Sequence, residues 1–216
     1  MRWPVLAGKK RLQPTGGRWH DWKEAIANDC GAACIYCAVT EGRLGGLRGF
    51  HVEHFRPKSR FPKLENEIAN LYLACGICNV LKSDDWPGDP KPDHSVATYP
   101  DPAHADFNVL LEIHSSTFVV ESRFVGGRYL IGRVMLNRGQ LVVQRRLSAA
   151  LAAMHEFEEW LKASSDHLKQ SELRAALSVL VALGGLKTSI LGARPYLDAE
   201  TKRPPKTRAR KKRSKS

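Results

Sequence analysis

The sequence predicts an α+β protein, with a small metal-stapled module early in the chain and a mainly helical C-terminal region. Two observations carry this. Four cysteines stand in two pairs, Cys34-x-x-Cys37 and Cys75-x-x-Cys78, with short strand-like runs beside them. From Gly139 onward the apolar period becomes helical. Leu147, Leu151, Met154 and Leu161 fit one face, and Leu173, Ala176, Leu177 and Leu180 fit another.

Taken in order, residues 1–18 are rich in Gly, Pro and basic residues and read as an irregular basic arm. Residues 19–90 form the stapled domain. It opens on a helix from Trp19 to Cys30, with Trp19, Trp22, Ala25 and Ile26 at helical spacing. A strand follows over Phe50–Phe55, ended by Arg56-Pro57. Phe61–Ala69 is a loop or short turn of helix, and Leu71–Ala74 leads into the second cysteine pair. A helix begins at Ile77 and runs to about Lys82, closed by the Asp84–Pro90 segment. Residues 91–137 read as a loop and a short β-hairpin, with strands at Val109–His114 and Thr117–Ser122. Residues 138–197 are the helical region, in which Gly184-Gly185 is a stop signal. Residues 198–216 are a disordered basic tail.

A chain of 216 residues suits one domain, or a small domain with an extension. Its hydrophobic fraction of 43% is enough for a core. Residues 201–216 supply nine of the twelve excess positive charges, so most of the excess is tail rather than binding face. Such a tail attracts polyanions by counterion release. No apolar run reads as a signal peptide, and the most apolar stretch, Leu173–Leu191, is broken by Arg174 and Lys187. A soluble, cytoplasmic protein with no membrane partner is expected.

Paired cysteines outside a secretory context read as metal ligands rather than a disulfide framework. Four thiolates at Cys34, Cys37, Cys75 and Cys78 suit structural Zn²⁺, with iron as the alternative in such a site. A closed Cys₄ site offers no open position, so this ion is a staple. Cys30 falls outside the pattern and reads as a small core residue.

The thirty-seven residues between the pairs leave room for a functional insert, and they hold Glu53-His54. Phosphodiester hydrolysis needs an activated water, a Lewis acid and a grip on the phosphate. A histidine suits the proton transfer and an adjacent carboxylate suits a divalent cation. Neighbours on a strand face opposite ways, so a strand end must aim both at one phosphate.

The ordered set Glu53-His54, Asn70 and Asn79, framed by the cysteine pairs, resembles the HNH endonuclease family and its ββα-metal fold over about residues 30–86. The resemblance implies that residues 19–90 are a nuclease domain. It implies His54 as general base, Glu53 and Asn79 as ligands of the catalytic metal, and Asn70 as the residue fixing the loop that orients the base. Asn79 stands where histidine is common, and Ser83 where some members have another histidine. The remaining donors are oxygens, which favour hydrated Mg²⁺ or Mn²⁺. His51, on the face of Glu53, is either a further ligand or a rim residue. Arg56, Lys58 and Lys82 are expected to meet phosphates, or else to be solvated cations.

His54-Phe55-Arg56-Pro57-Lys58-Ser59 and Gly132–Arg138 are similar to HNH proteins of bacterial anti-phage systems, the retron-linked and Septu-type nucleases. That similarity implies an ATPase partner docking on the apolar helix faces. Packing of the same faces on the chain's own core is the preferred reading. The expected activity is cleavage of DNA. The alternatives are a zinc-stabilised nucleic-acid-binding or scaffold protein without cleavage, and an RNA-directed nuclease.

Overall fold

The computed structural model describes residues 2–164 together with residues 171, 172, 175, 178 and 179. The helical stripe expected at Leu173, Ala176, Leu177 and Leu180, the Gly184-Gly185 stop and the basic tail lie outside the described residues. The described chain forms two units. One comprises residues 2–114 and 120–137, the other residues 115–119 and the described residues from 138 onward.

The first unit is built on a two-stranded antiparallel sheet. Strand β1 (Phe50–His54) pairs with β2 (Leu71–Cys75) in the register Phe50↔Cys75 to His54↔Leu71. Every residue of β2 is buried, as its unbroken apolar run requires. Helices α1 (Lys23–Asp29) and α2 (Gly76–Lys82) pack on this pair. The β1–β2–α2 order is the expected ββα core.

Helix α1 starts four residues later than its apolar spacing predicts. The Asp21 carboxylate accepts from the Arg18 backbone N–H at 2.9 Å, and the Asp21 N–H donates to the Arg18 carbonyl at 2.8 Å. That local turn satisfies the backbone outside a helix, so Trp19 never joins one.

The basic arm has no regular element, as expected, yet it is part of the core. Trp3 and Leu6 are buried, and the Trp3 indole N–H donates to the Tyr36 carbonyl at 2.8 Å. Arg11 donates to Asp29 at 2.8 Å and to the carbonyls of Ile68 and Leu71 at 2.6 and 2.7 Å.

The four paired cysteines converge. All their sulfurs lie within 4.8 Å of one another, and Cys37 Sγ is 3.7 Å from Cys75 Sγ. A tetrahedral site with Zn–S of about 2.3 Å has sulfur–sulfur edges of about 3.8 Å, so the cluster fits one zinc ion. Burial pushes the Cys34 thiol up, while hydrogen bonds from Cys34, Cys37 and Cys78 pull Cys75 down. Cys75 also caps α2, accepting from the Cys78 N–H at 3.4 Å. Cys30 stands apart and fully buried, and burial raises its thiol to about 11.

Residues 91–137 hold more helix than the sequence suggests. A helical turn, α3 (Phe107–Leu110), is capped by the Asp106 carboxylate, which takes Val109 out of the expected strand. The hairpin shrinks to β3 (Glu112–Ile113) and β4 (Val120–Glu121), antiparallel. Helix α4 (Val125–Arg133) follows. It is fastened at Asp85, where one buried carboxylate oxygen, Oδ2, accepts from Tyr99 Oη at 2.9 Å, Tyr129 Oη at 2.8 Å and Arg133 Nε at 2.8 Å. The Gly132–Arg138 segment is thus a packing element. Val134 and Leu136 are fully buried, and the Asn137 amide pairs with both backbone polar groups of Val120.

In the second unit, helix α5 (Gly139–Ser164) buries Leu141 and Arg145, and Arg145 donates to the Phe118 carbonyl at 3.0 Å. The predicted stripe Leu147, Leu151, Met154 and Leu161 is half-buried. Among the described residues no helix is long and apolar enough to cross a membrane.

Two stability predictions follow from this packing. Cys75→Ser should drop bound zinc well below one per chain and lower the melting temperature by more than about 5 °C; full zinc content with an unchanged melting temperature would contradict the staple. Asp85→Ala removes the buried carboxylate that Tyr99, Tyr129 and Arg133 share and should cost about 3–5 kcal/mol in chemical denaturation; a change within experimental error would show that the shared carboxylate does not fasten α4.

Candidate active site

A cavity of about 390 Å³ opens between β1 and the later part of α2. Its walls include His51, Glu53, His54, Lys58, Asn79, Ser83 and Asp84, with Trp19 on one side. The strand end does what the adjacent Glu53-His54 pair requires. Regular pairing stops at His54, so both side chains reach one space.

His54 is held from behind. Its Nε2 lies 3.0 Å from the Glu65 carbonyl. A carbonyl only accepts, so Nε2 carries the proton and the neutral ring keeps its lone pair on Nδ1. Among the described residues Nδ1 makes no hydrogen bond. Burial lowers the affinity of this imidazole for a second proton, and Lys58 adds to the effect, so the ring is neutral at pH 7.

Asn70 is buried behind the loop and does not line the cavity. Its Oδ1 accepts from the Arg56 N–H at 2.8 Å, and its Nδ2 donates to the carbonyls of Arg56 and Leu64 at 3.0 and 3.2 Å. It therefore ties the segment leaving His54 to the segment that presents the Glu65 carbonyl.

Glu53 is buried, and two donors hold the same oxygen. Lys82 Nζ lies 2.6 Å from Oε1, and Tyr36 Oη donates to Oε1 at 3.2 Å. Among the described residues no hydrogen bond reaches Oε2. Burial pushes the Glu53 carboxyl up and Lys82 opposes it. Burial also pushes the Tyr36 phenol far up, which keeps it a donor. The Asn79 side-chain amide lines the cavity and makes no hydrogen bond among the described residues. The donors facing the cavity are a carboxylate oxygen and an amide, a set that suits a hard, largely hydrated cation.

The three expected phosphate cations separate. Lys58 is exposed at the cavity, over the Trp19 ring at 4.5 Å and 3.4 Å from the Glu65 carboxylate. Lys82 is fully buried, donating also to the His54 carbonyl at 3.0 Å, so a phosphate cannot reach it. A position one turn beyond Asn79 would be surface on an isolated helix, but α2 lies against β1 there. Arg56 lines a second cavity, paired with Asp89 at 3.2 Å and Asp101 at 3.7 Å. His51 is exposed on the first cavity's rim.

Sequence reasoning missed Trp19, Tyr36 and Glu65, together with Asp84 on the rim. Only Tyr36 carried a signal, as the aromatic inside the first cysteine pair. Replacing Lys82 by Met should cost about 3–5 kcal/mol by leaving the Glu53 carboxylate unpaired. Adding Glu53→Gln should recover about 1–3 kcal/mol of that loss in a double-mutant cycle. Additive losses in denaturation would show that the pair is not coupled.

Neither a curated protein nor a solved structure matches the chain significantly. The model of the HNH endonuclease family matches residues 34–85, which span both cysteine pairs, β1, β2 and α2. The α+β core stapled by four cysteines is therefore an HNH domain.

Proposed function

We propose that this protein is a metal-dependent endonuclease that hydrolyses DNA phosphodiester bonds. The observation that carries the reading is His54. Its Nε2 is occupied by the Glu65 carbonyl and its Nδ1 is unbonded, in a cavity it shares with Glu53 and Asn79. In that role Nδ1 takes the proton of the attacking water. Glu53 through Oε2 and Asn79 through its amide would hold Mg²⁺ or Mn²⁺. Such an ion, when bound, supplies Lewis-acid stabilisation of the charge developing on the phosphate and the leaving oxygen. Lys58 at the rim is the cation best placed to meet the phosphate. Asn70 keeps the base aligned. The backbone-directed site predicts little sequence preference.

The reading without cleavage draws on one observation. Lys82 neutralises Glu53, which weakens the field a cation would feel. A role in anti-phage defence beside an ATPase partner is a further proposal, supported by the resemblance of Gly132–Arg138. The packing of Val134, Leu136 and Asn137 accounts for that segment without a partner.

Purified wild-type and His54→Ala protein should be compared on supercoiled plasmid with EDTA, Mg²⁺ or Mn²⁺. Wild type should nick or linearise it only with the divalent ion. His54→Ala should be at least about 100-fold slower with zinc retained. Equal cleavage by the variant would remove His54 from the chemistry, and no cleavage by either protein would favour the binding module.

A further inference from the structure

Trp19 lies fifteen residues before the matched region, yet it stands against the proposed general base. Its ring centroid is 5.0 Å from that of His54, at an interplanar angle of 74°, an edge-on contact. Three groups fix the indole there. Its backbone N–H donates to Asn66 Oδ1 at 3.0 Å, its Nε1 donates to Glu65 Oε1 at 3.2 Å, and the Lys58 ammonium sits over its face at 4.5 Å. His20 closes another side, with ring centroids 5.4 Å apart.

Glu65 works at both ends. Its carboxylate holds Trp19 and Lys58, and its carbonyl takes the His54 Nε2 proton. The loop that presents this carbonyl is also gripped by the arm. Gln13 Nε2 donates to the Asn66 carbonyl at 2.8 Å, and Gln13 Oε1 accepts from the Ile68 N–H at 2.9 Å. The arm and the residue that follows it therefore reach the base by two routes, Gln13 through the loop and Trp19 through its indole.

We propose that Trp19, the residue immediately after the N-terminal arm, is a positioning residue for His54 that fixes the imidazole's tautomer and direction. An imidazole anchored at one nitrogen alone can swing about that hydrogen bond. An aromatic ring packed edge-to-face against the imidazole restricts that swing, and small misplacements of a reacting group cost large factors in rate. Trp19 acts through another residue, so losing it should lower kcat and leave the DNA KM unchanged. This inference rests on the nuclease reading for its kinetic part only.

The experiment uses the full chain as wild type, Trp19→Ala and Trp19→Phe, each checked for zinc content. Two readouts are taken: plasmid-cleavage kinetics with Mn²⁺, and the ¹⁵N spectrum of the labelled His54 ring at a pH above the imidazole range. Wild type should show one Nε2–H tautomer. Trp19→Ala should show averaged tautomers and a kcat about ten- to a hundredfold lower, with KM within about twofold. Trp19→Phe, which keeps an aromatic wall, should recover the single tautomer and most of kcat. If Trp19→Ala loses zinc, Trp19→Leu replaces it, filling the volume without a ring face. A wild-type tautomer and kcat in the Ala or Leu variant would overturn the proposal. So would a raised KM with unchanged kcat, which would make Trp19 a substrate contact. Wild-type protein that cleaves nothing would count against the nuclease reading, and the ring spectra would still decide the role of Trp19.

Discussion

The convergence of four sulfurs is the constraint on which the site depends. Tyr36 lies inside the first cysteine pair, and Asn79 and Lys82 follow the second within one turn of α2. Bringing the pairs within 4.8 Å therefore places a phenol, an amide and an ammonium around Glu53 in one step. A buried carboxylate carries a desolvation penalty of several kcal/mol unless it is paired and hydrogen-bonded. Lys82 and Tyr36 meet that penalty on a single oxygen and leave the other unbonded. The staple thus does more than stabilise a small module: it fixes the direction of the carboxylate.

The same arrangement sets the electrostatics of the cavity. Lys82 offsets the charge of Glu53, and His54 is neutral, so no large field is built into the floor. The rim carries Lys58, His51 and Asp84, all exposed and screened by solvent. A cation held here on the proposed reading would rely on few protein donors and keep most of its water. That agrees with the oxygen-only donor set and explains why a second histidine on α2 is unnecessary for a hard ion.

The cysteine pairs, the strand from Phe50 and the helix after Cys75 were legible in the sequence because each has a local pattern, while the loop tie by Asn70, which reaches Arg56 fourteen residues away, came only through the family resemblance. The failures are non-local. Lys82 was read as a surface cation because only the assembled fold shows β1 against it. Trp19 has helical spacing to Trp22 and Ile26, but the Asp21 turn and Asn66, forty-seven residues away, hold it elsewhere. Helix α4 carries three glycines, each costing about 1 kcal/mol against alanine, so local propensity argued against it. Close approach rewards two of them. A side chain at Gly126 would crowd the Thr98 and Val96 carbonyls, and one at Gly127 would collide with Ser122. Tyr129 and Arg133 then share one face and reach Asp85, a long-range reward that no window of sequence displays.

The matched region and the working unit differ in extent. Asp85 is its last residue, and Tyr99, Tyr129 and Arg133, which donate to its Oδ2, all come from beyond it. On the other side, Trp3 bonds the first cysteine turn through the Tyr36 carbonyl, and Arg11 spans α1 and the β2 entrance. A fragment limited to residues 34–85 would lose every one of these contacts. It would leave Asp85 without those donors and strip the apolar cover of Trp3, Leu6 and Tyr99 from its core. Fifty residues with a metal staple are already near the lower limit of independent stability. The flanking segments, from Trp3 in the arm through α4, therefore pack with the matched region as one compact unit.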